Sequence, residues 1–536
     1  MLCIAQNMVA EWSFRTGREY KDPFNDVQLD VVFVDKDGAE IVVPAFWAGQ
    51  HTWRVRFSSP ATGTFKYKTV CSKESDSDLH NVEGEFEVTP YIGCNQLLQH
   101  GPVQVAADRR HFEHSDGKSF FWLADTWWMA FTKRLRWPSD FQTLALDRLA
   151  KGFTVIQIVA GLYPDMPPFD QRGANEAGFP WERDYARINP AYFDLADQRI
   201  KYLVSIGLVP CIVGCWAYHL SFLGLEKMKR HWRHLIARWA AYPVIWCLAG
   251  EGAMPYYLSQ DKEKDKADLI AGWTEIARYL RQIDPYRRMI TTHPTAFSWG
   301  RDQIADASLL DFDMLQSGHL GFANVPGMIE QILSQRQRQP VIPVLNGEGN
   351  YEGILHENYD EMQRLLFWGC VLSGAAGHSY GANGIWQFNT RQQPYGPSPH
   401  GASWGDQPWE EAYRLPGSEQ LGLAKRLLER YEWWCFEPHR EWMSPSPKPE
   451  NYFTPYAAGI PGKVRIVYLY NPTTPWDKEE TKVKNIEPDV RYRAFFFNPR
   501  NAQEHQLGLV KPSSEGNWPV PVQPTMQDWV LVLEKE

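Results

Sequence analysis

The hydrophobic and polar residues follow three different patterns along the chain. Up to residue 92, short runs such as 52–57 and 63–70 alternate apolar and polar residues with a period of two, and turn residues separate these runs. Alternation of this kind is typical of strands that bury one face. We therefore predict a small β-sandwich over residues 1–92.

From about residue 100 to residue 436, short apolar runs are separated by amphipathic helical stretches such as 225–241 and 359–372. Apolar runs that alternate with helices indicate a parallel sheet whose two faces are both covered. Eight such units in a segment of this size predict a (β/α)₈ barrel over residues 100–436. The fifth and sixth units have the weakest pattern, because the helix between them is short. The eight predicted strands comprise residues 120–125, 153–159, 208–213, 244–249, 288–292, 312–316, 341–345 and 375–380.

The last part of the chain is again rich in predicted strands. The runs 464–470, 492–497 and 529–533 alternate like half-buried strands, so we predict a second β-sandwich over residues 437–536. The Pro-rich segment 443–449 is predicted to be the linker that leads into it. The predicted fold class is a multidomain chain with a central (β/α)₈ TIM barrel between two β-sandwiches.

Charge and hydropathy exclude two classes of function. A net charge of −9 and the lack of a basic stripe argue against a nucleic-acid partner. No run of apolar residues is long enough to span a membrane. Residues 1–7 do not have the basic and apolar regions of a signal peptide, so we expect a cytoplasmic protein, or a secreted one if its start was trimmed.

The aromatic content points to a class of ligand. The chain has 24 Trp, 24 Tyr and 27 Phe residues. Large cores account for most of them. The number of Trp residues exceeds what packing usually needs, so we predict that several indole rings line a site and stack on the apolar C–H faces of sugars. The predicted partner is therefore a carbohydrate.

Polar and aromatic residues gather directly after the predicted barrel strands, where this fold carries its active sites. Glu251 and Glu348 stand out, since each follows an apolar strand closely and has Gly on both sides. We predict that these two residues are catalytic. The other candidate site residues, at strand ends or in the loops that follow, are Asp125, Trp127, Trp128, Trp216, His219, His293, His319, Tyr351, Glu352, His378, Tyr380 and Trp386.

Some of these candidates have a more specific predicted role. Trp128 and Trp216 are predicted stacking platforms. Asp125 is predicted to bind sugar hydroxyls or to orient a neighbour, and Tyr380 to hydrogen-bond the catalytic nucleophile. Glu352 is the rival for the second catalytic position, although it lies further into its loop.

Two facing carboxylates suit the cleavage of a glycosidic bond, where one protonates the leaving oxygen and the other stabilises or attacks the anomeric carbon. A separation of about 5–5.5 Å would imply retention, and one of about 6.5–9.5 Å inversion. The sequence has no His-x-His or His-Glu-x-x-His spacing, so we predict no metal and no cofactor. The rival hypothesis is a non-catalytic carbohydrate-binding protein on a barrel scaffold.

Motifs in all three regions resemble the apiosidase-like glycoside hydrolases. Residues 20–26, 44–47 and 63–67 are similar to the immunoglobulin-like N-terminal domain of that family. The catalytic barrel is similar through Phe121-Trp-Leu-Ala-Asp-Thr-Trp127, Gly250-Glu251 and Asn346-Gly-Glu-Gly-Asn-Tyr-Glu352. The tail resembles a β-domain type named after collagen binding, through Phe497-Asn-Pro-Arg500 and Gln527-Asp-Trp-Val-Leu-Val532.

This resemblance implies a retaining barrel glycosidase with Glu251 as acid/base after the fourth strand and Glu348 as nucleophile after the seventh. The sequence departs from the pattern at Gly250, where related barrel glycosidases carry an Asn that binds the sugar 2-hydroxyl. Recognition of the 2-hydroxyl must therefore come from another residue. Apiose is one substrate within a broad family, and the sequence leaves the sugar, the linkage and the oligomeric state open.

Overall fold

A computed structural model of the chain describes residues 2–446, 451, 453–474, 476 and 479–536. It shows a multidomain molecule in which a curled nine-stranded sheet lies between two β-rich regions. Residues 447–449 of the predicted Pro-rich linker lie outside the described residues, whereas Met443–Ser444 forms a strand. None of the helices formed by the described residues combines the length and the apolar character that a membrane crossing requires.

The N-terminal region consists of two sheets that share one core. The first has the order β1-β8-β7-β3-β4 and the second the order β2-β6-β5. Phe33 in the first sheet stacks on Phe57 in the second, with ring centroids 4.2 Å apart. The elements are β1 (Leu2–Ala5), β2 (Ala10–Arg15), α1 (Pro23–Asp26), β3 (Leu29–Val34), β4 (Glu40–Pro44), β5 (Phe46–Trp47), β6 (Thr52–Phe57), β7 (Gly63–Cys71) and β8 (Glu83–Thr89).

The central region alternates strands and helices. Its elements are α2 (Gln96–Gln99), β9 (Val103–Val105), β10 (Phe112–His114), β11 (Ser119–Phe120), β12 (Trp122–Thr126), α3 (Ser139–Ala150), β13 (Val155–Val159), α4 (Pro190–Ile206), β14 (Val209–Val213), α5 (His219–Trp239), β15 (Ile245–Cys247), α6 (Lys262–Ile283), β16 (Ile290–Thr291), β17 (Ser298–Trp299), β18 (Asp313–Gln316), α7 (Val325–Gln337), β19 (Val344–Glu348), α8 (Asp360–Val371), β20 (Gly377–Tyr380), α9 (Trp409–Ala412) and α10 (Pro416–Leu428).

Each of the eight predicted strands is present in the large sheet, whose order is β16-β15-β14-β13-β12-β20-β19-β18-β17. The eight parallel strands follow one another through the sheet in cyclic chain order, and β17 is added antiparallel at one edge. The weak fifth and sixth units are a real irregularity, since none of the described residues between β16 and β18 forms an α-helix. Between these two strands no ladder forms among the described residues, although Asp311 N donates to Ile290 O over 2.8 Å.

Helix α4 shows how the sequence covers this sheet. Pro190 occupies its first turn and Gly207, with a φ of 94°, ends it in the left-handed conformation. Its buried face includes Tyr192, Ala196 and Ile200, which recur every four residues along the helix. The facing strands β13 and β14 are buried along their whole length. Apolar strands and one-sided helices therefore account for the layered core.

The C-terminal region has a six-stranded sheet of order β21-β23-β24-β29-β26-β27 and a three-stranded sheet of order β22-β25-β28. The elements are β21 (Glu437–Pro438), β22 (Met443–Ser444), β23 (Tyr456–Ile460), β24 (Val464–Leu469), β25 (Lys482–Val483), β26 (Tyr492–Phe497), β27 (Glu504–Leu509), β28 (Trp518–Pro519) and β29 (Trp529–Lys535).

The prediction that the C-terminal strands are half-buried is wrong, because all residues of β24 are buried. One face of the six-stranded sheet packs on α8, where Trp368 stacks on Tyr468. The other face shares a core with the three-stranded sheet. At the same boundary Arg364 donates to both oxygens of Asp528, over 2.6 and 2.9 Å. This sheet is therefore tied to the central region by a stacked aromatic pair and a buried ion pair.

A buried ion cluster joins the N-terminal region to the central helices. Arg56 Nη1 donates to Asp197 Oδ1 over 2.9 Å, and Arg238 Nη1 donates to Asp197 Oδ2 over 2.7 Å. Trp239 Nε1 also donates to this carboxylate. A charge removed from water is tolerated only when it is paired and hydrogen-bonded, as Asp197 is here. The contact thereby fixes strand β6 against helices α4 and α5.

Candidate active site

A cavity of about 450 Å³ lies at the C-terminal ends of the parallel strands. In α/β proteins ligands bind at this end of a parallel sheet. The structure brings both predicted catalytic residues to this one cavity. The predicted site residues that line it are Trp128, Trp216, Glu251, His319, Glu348, Tyr351 and Trp386.

The position of Glu348 depends on an irregularity in β19. Leu315 pairs with Asn346, and the next residue, Gln316, pairs with Glu348. Gly347 is therefore an extra residue on β19, a β-bulge of the type that re-aims a side chain near an active site. The bulge sets the carboxylate of Glu348 beside Gln316, whose Nε2 donates to Oε1 over 3.0 Å.

Two histidines also hold the carboxylate of Glu348. Nε2 of His319 lies 3.0 Å from Oε1, and Nε2 of His293 lies 3.1 Å from Oε2. Burial by itself would raise the pKa of Glu348, but the hydrogen bonds and charge of the two imidazoles outweigh burial and hold this pKa well below its usual range. Glu348 is therefore ionised at neutral pH.

Glu251 has the opposite electrostatic environment. Its backbone has a φ of 50°, an uncommon conformation for a residue with a side chain. Burial and the nearby charge of Glu348 raise the pKa of Glu251 to about 7, while His293 and a hydrogen bond from Trp216 oppose that rise. The bond from Trp216 Nε1 to Oε2 measures 3.2 Å. A large fraction of Glu251 is therefore protonated at neutral pH.

The sequence departure at Gly250 has a steric reason. A Cβ atom at this residue would lie 2.1 Å from Cε3 of Trp216, closer than any real contact. The missing side chain thus leaves room for the indole ring, and Trp216 and Gly250 form an isolated parallel bridge. The ring takes the space that a side chain at residue 250 would occupy, and its N–H group donates a hydrogen bond to the carboxyl group of Glu251.

Aromatic side chains form one wall of the cavity. Trp128 donates through Nε1 to the hydroxyl of Tyr351 over 3.1 Å. The Tyr351 ring lies 4.6 Å from the ring of His319 and is stacked with Trp386 at 6.3 Å. Trp128 also packs edge-on against Trp216 at 5.7 Å. Rigid rings fixed in this way can present flat apolar faces to a sugar.

Asp125 and Trp127 do not reach the cavity. Asp125 is fully buried and pairs with Nε of Arg148 over 2.6 Å. It also accepts a hydrogen bond from Nε1 of Trp127 over 2.7 Å. The predicted sugar contact of Asp125 does not fit this position, whereas its alternative role, the orientation of a neighbour, does. Arg148 belongs to α3, so the pair lies between strand and helix.

The predicted bond from Tyr380 to the nucleophile is also wrong. Tyr380 donates instead to Oε2 of Glu352 over 2.5 Å, and Gly417 N donates to Oε1 of Glu352 over 3.0 Å. Burial raises the pKa of Glu352 to about 7. Glu352 is thus fully buried and does not line the cavity. The tyrosine beside Glu348 is Tyr351.

Two predicted histidines lie in the protein interior. His219 contacts the carbonyl of Tyr163 over 3.0 Å, and burial lowers its pKa to about 4. His378 packs edge-on against Phe367, and burial lowers its pKa to about 3. Neither residue lines the cavity, so their predicted contacts with a sugar do not fit the structure. Isolated histidines in apolar surroundings are more often structural than functional.

Sequence reasoning missed several residues that line the cavity. Gln316 ended a predicted strand and could have been found from that position. Except for Lys262, which begins helix α6, the others lie in loops between the elements, and none of them carries a pattern in the sequence that marks it. The polar and aromatic residues among them are Asp165, Tyr257, Lys262, His400 and Trp404. Among the described residues, no group of His, Cys, Asp and Glu side chains has the arrangement of a metal site.

Comparison with known families identifies the region that carries this cavity. The family model described as apiosidase-like, catalytic domain, matches residues 106–435, more than half of the chain. The chain belongs to this apiosidase-like family. Membership makes it a glycoside hydrolase. A second model, for a domain of unknown function named DUF5060, matches residues 5–72.

Solved structures support the fold of this apiosidase-like chain. A putative glycoside hydrolase from Bacteroides vulgatus ATCC 8482 is 16% identical, covers 100% of both chains and has a TM-score of 0.72. A protein titled glycoside hydrolase is 21% identical, covers 83% of this chain and 98% of its own, and has a TM-score of 0.67. A glycoside hydrolase family 5 protein from the same Bacteroides strain is 21% identical, covers 81% and 93%, and has a TM-score of 0.66. No curated protein matches the chain.

Proposed function

We propose that the chain hydrolyses O-glycosidic bonds of oligosaccharides or glycosides with retention, with Glu251 as acid/base and Glu348 as nucleophile. One observation carries this proposal. Two carboxyl groups line one cavity, and their pKa values are displaced in opposite directions, that of Glu251 to about 7 and that of Glu348 well below its usual range. Two carboxyl groups whose pKa values differ in this way can act as proton donor and nucleophile at the same pH.

In the first step the proton of Glu251 goes to the oxygen of the leaving group, and an oxygen of Glu348 attacks the anomeric carbon. The glycosidic C–O bond breaks as the glycosyl–enzyme ester forms. In the second step Glu251, now ionised, takes a proton from water, which displaces Glu348 from the same carbon. Gln316, His293 and His319 hold the carboxylate of Glu348 in place for the attack.

The aromatic wall supports a sugar as the group that occupies the cavity. Trp128, Trp216, Trp386 and Trp404 line it together with the two carboxyl groups. Indole faces match the apolar C–H faces of a pyranose or furanose ring, while carboxylates and imidazoles match its hydroxyls. Apiose is one sugar that family membership suggests, and a panel of pentosides and hexosides tests it against others.

The proposal includes the finer architecture. We propose that the eight parallel strands close into a complete (β/α)₈ barrel across the bond from Asp311 N to Ile290 O. The flanking regions are proposed to be β-sandwich domains over residues 1–92 and 437–536, around a catalytic domain over residues 100–436. Paired sheets with shared cores support both flanking assignments.

The test is a panel of aryl glycosides of pentoses and hexoses, assayed with the native chain and with Glu348→Gln and Glu251→Gln. Glu348→Gln is expected to abolish turnover nearly completely on every substrate. Glu251→Gln is expected to lose much more activity on poor leaving groups than on activated aryl groups, because only the former need a proton. Nuclear magnetic resonance of the first sugar anomer released tests retention.

The matched control is Glu352→Gln, which changes a buried acid four residues away that lies outside the cavity. This variant is expected to keep its turnover on activated substrates. Loss of turnover in Glu352→Gln with activity kept in Glu348→Gln would overturn the assignment. Sugar binding without cleavage on any substrate would favour the non-catalytic carbohydrate-binding alternative.

A further inference from the structure

A third carboxylate lines the cavity and has no part in the proposed reaction. Asp165 follows strand β13, and only 9% of its surface is exposed. Its backbone has a φ of 56°, so the chain holds this residue in a conformation that side chains rarely adopt. Strained conformations of this kind persist where the surrounding structure fixes a functional group.

The partners of Asp165 leave it without a cation. The hydroxyl of Tyr257 donates to Oδ1 over 3.0 Å and accepts from the backbone N–H of Asp165 over 3.0 Å. His400 stacks on the ring of Tyr257, with centroids 5.0 Å apart. Within the part of the chain that the structure describes, no Lys or Arg side chain lies within ion-pair distance of Asp165. Trp404 also donates a hydrogen bond to the carboxyl group of Asp165, and burial raises the pKa of this group although these bonds and the charges of His400 and Arg172 oppose the rise. Tyr257 and Trp404 thus orient a carboxyl group that faces the cavity.

Other buried aspartates of this protein have a structural explanation. Asp125 and Asp197 are each paired with an arginine, and Asp76 and Asp284 each accept hydrogen bonds from several protein donors. A buried carboxylate that lacks such a partner is unfavourable unless other donors satisfy it. The side of Asp165 that faces the cavity is where a ligand can supply those donors, and a sugar carries several hydroxyls.

We propose that Asp165 is a specificity-determining residue, whose carboxylate accepts a hydrogen bond from a hydroxyl group of the sugar bound beside Glu251 and Glu348. The inference rests on the proposed function and adds to it a substrate class, sugars that carry a hydroxyl at the position facing Asp165. Buried polar groups that a substrate hydroxyl satisfies discriminate strongly against analogues that lack it.

The test compares Asp165→Asn with the native chain on the aryl glycoside that the native chain hydrolyses best, and on each monodeoxy derivative of it. For the parent glycoside, kcat/KM is expected to fall about 10- to 100-fold, the effect of a hydrogen bond to a charged group. For the one derivative that lacks the bound hydroxyl, the kcat/KM values of the native chain and of Asp165→Asn are expected to differ by less than about 3-fold.

The matched control is Asp170→Asn in the same loop, where Asp170 is paired with Arg172 over 2.8 Å outside the main cavity. Asp170→Asn is expected to leave the ratio of kcat/KM between the parent glycoside and each monodeoxy derivative unchanged. An equal loss on the parent and on every derivative would show a merely structural role for Asp165. No loss on any substrate would also overturn the proposal.

Failure of the proposed function gives a different result. If the native chain cleaves no glycoside, the same comparison is made by calorimetric titration of the free monosaccharides and their deoxy derivatives. Binding that Asp165→Asn weakens for the parent sugar but not for one deoxy derivative supports Asp165 as the hydroxyl acceptor. Equal sugar affinities of the native chain and Asp165→Asn, or the lack of binding by any sugar, overturn the role of Asp165.

Discussion

Gly250→Ala should disturb catalysis through the ring of Trp216, although alanine is the smallest possible side chain. The added Cβ would lie 2.1 Å from Cε3 and 2.3 Å from Cζ3 of that ring. Carbon atoms in contact are about 3.5–4.0 Å apart, so the indole ring must retreat by roughly 1.4 Å. Such a shift breaks the present 3.2 Å hydrogen bond from Trp216 to Glu251.

Two quantities should change together in Gly250→Ala. Overpacking of a filled site destabilises a protein by about 1–3 kcal/mol, which lowers the midpoint of urea unfolding. Loss of the bond to Glu251 should lower kcat/KM about 10- to 100-fold, as for a hydrogen bond to a charged group. Since that bond lowers the pKa of Glu251, its loss should also move the alkaline limb of the pH–rate profile upward.

A double variant isolates the steric cause. Once Trp216→Ala has removed the ring, adding Gly250→Ala should have almost no further effect on stability or on kcat/KM. The control is Gly327→Ala in helix α7, where an added Cβ meets no atom within 4 Å. This control should be neutral or slightly stabilising. Normal stability and activity in Gly250→Ala, or equal penalties with and without the ring, would refute the reasoning.

Three further predictions concern the acid/base, a donor to the nucleophile and the ion pair at the C-terminal boundary. Because burial and Glu348 raise the pKa of Glu251 to about 7, kcat/KM should fall as pH rises through about 7, and a profile flat to about pH 9 would contradict the acid role. His319→Ala removes a donor to Glu348, so the acid limb of that profile should move to higher pH and kcat/KM should drop about 10-fold or more. Arg364→Met removes the close cation from the buried Asp528, which keeps the hydrogen bond from Tyr468 and a longer contact with Arg500. The free energy of urea unfolding should therefore fall by about 3 kcal/mol, and Arg364→Met/Asp528→Leu should recover part of this loss.

Local patterns predicted the main elements because those patterns follow from local geometry. Each of the eight parallel strands of the large sheet matches an apolar run, and helices such as α5 and α6 match amphipathic stretches. The predicted alternation of the C-terminal strands misled, since their outer face packs on α8 from a distant part of the chain. The sequence of a strand does not show whether a distant segment of the chain will bury its second face.

Three of the misplaced site residues share one physical cause. Successive side chains of a strand point to opposite faces, and paired residues of neighbouring parallel strands point to the same face. Asp125 pairs with Tyr380, and His378 lies two residues before Tyr380 on its strand. All three therefore face the helices, as the contacts of Asp125 with Arg148 and of His378 with Phe367 show. The two-residue alternation of side chains along these strands would have excluded all three from the site.

The same alternation, applied to β19, would have excluded Glu348 as well. It gives the wrong answer there because β19 is irregular, which the sequence alone does not show. Asn346 pairs with His378, which faces the helices, so a regular strand would turn the residue two further on toward the helices as well. The extra residue Gly347 reverses the alternation and brings Glu348 into the cavity beside Gln316. The Gly-Glu-Gly motif permits such a bulge, but only pairing with β18 creates it. The carboxylate that the proposed chemistry needs is therefore positioned by a departure from regular strand geometry.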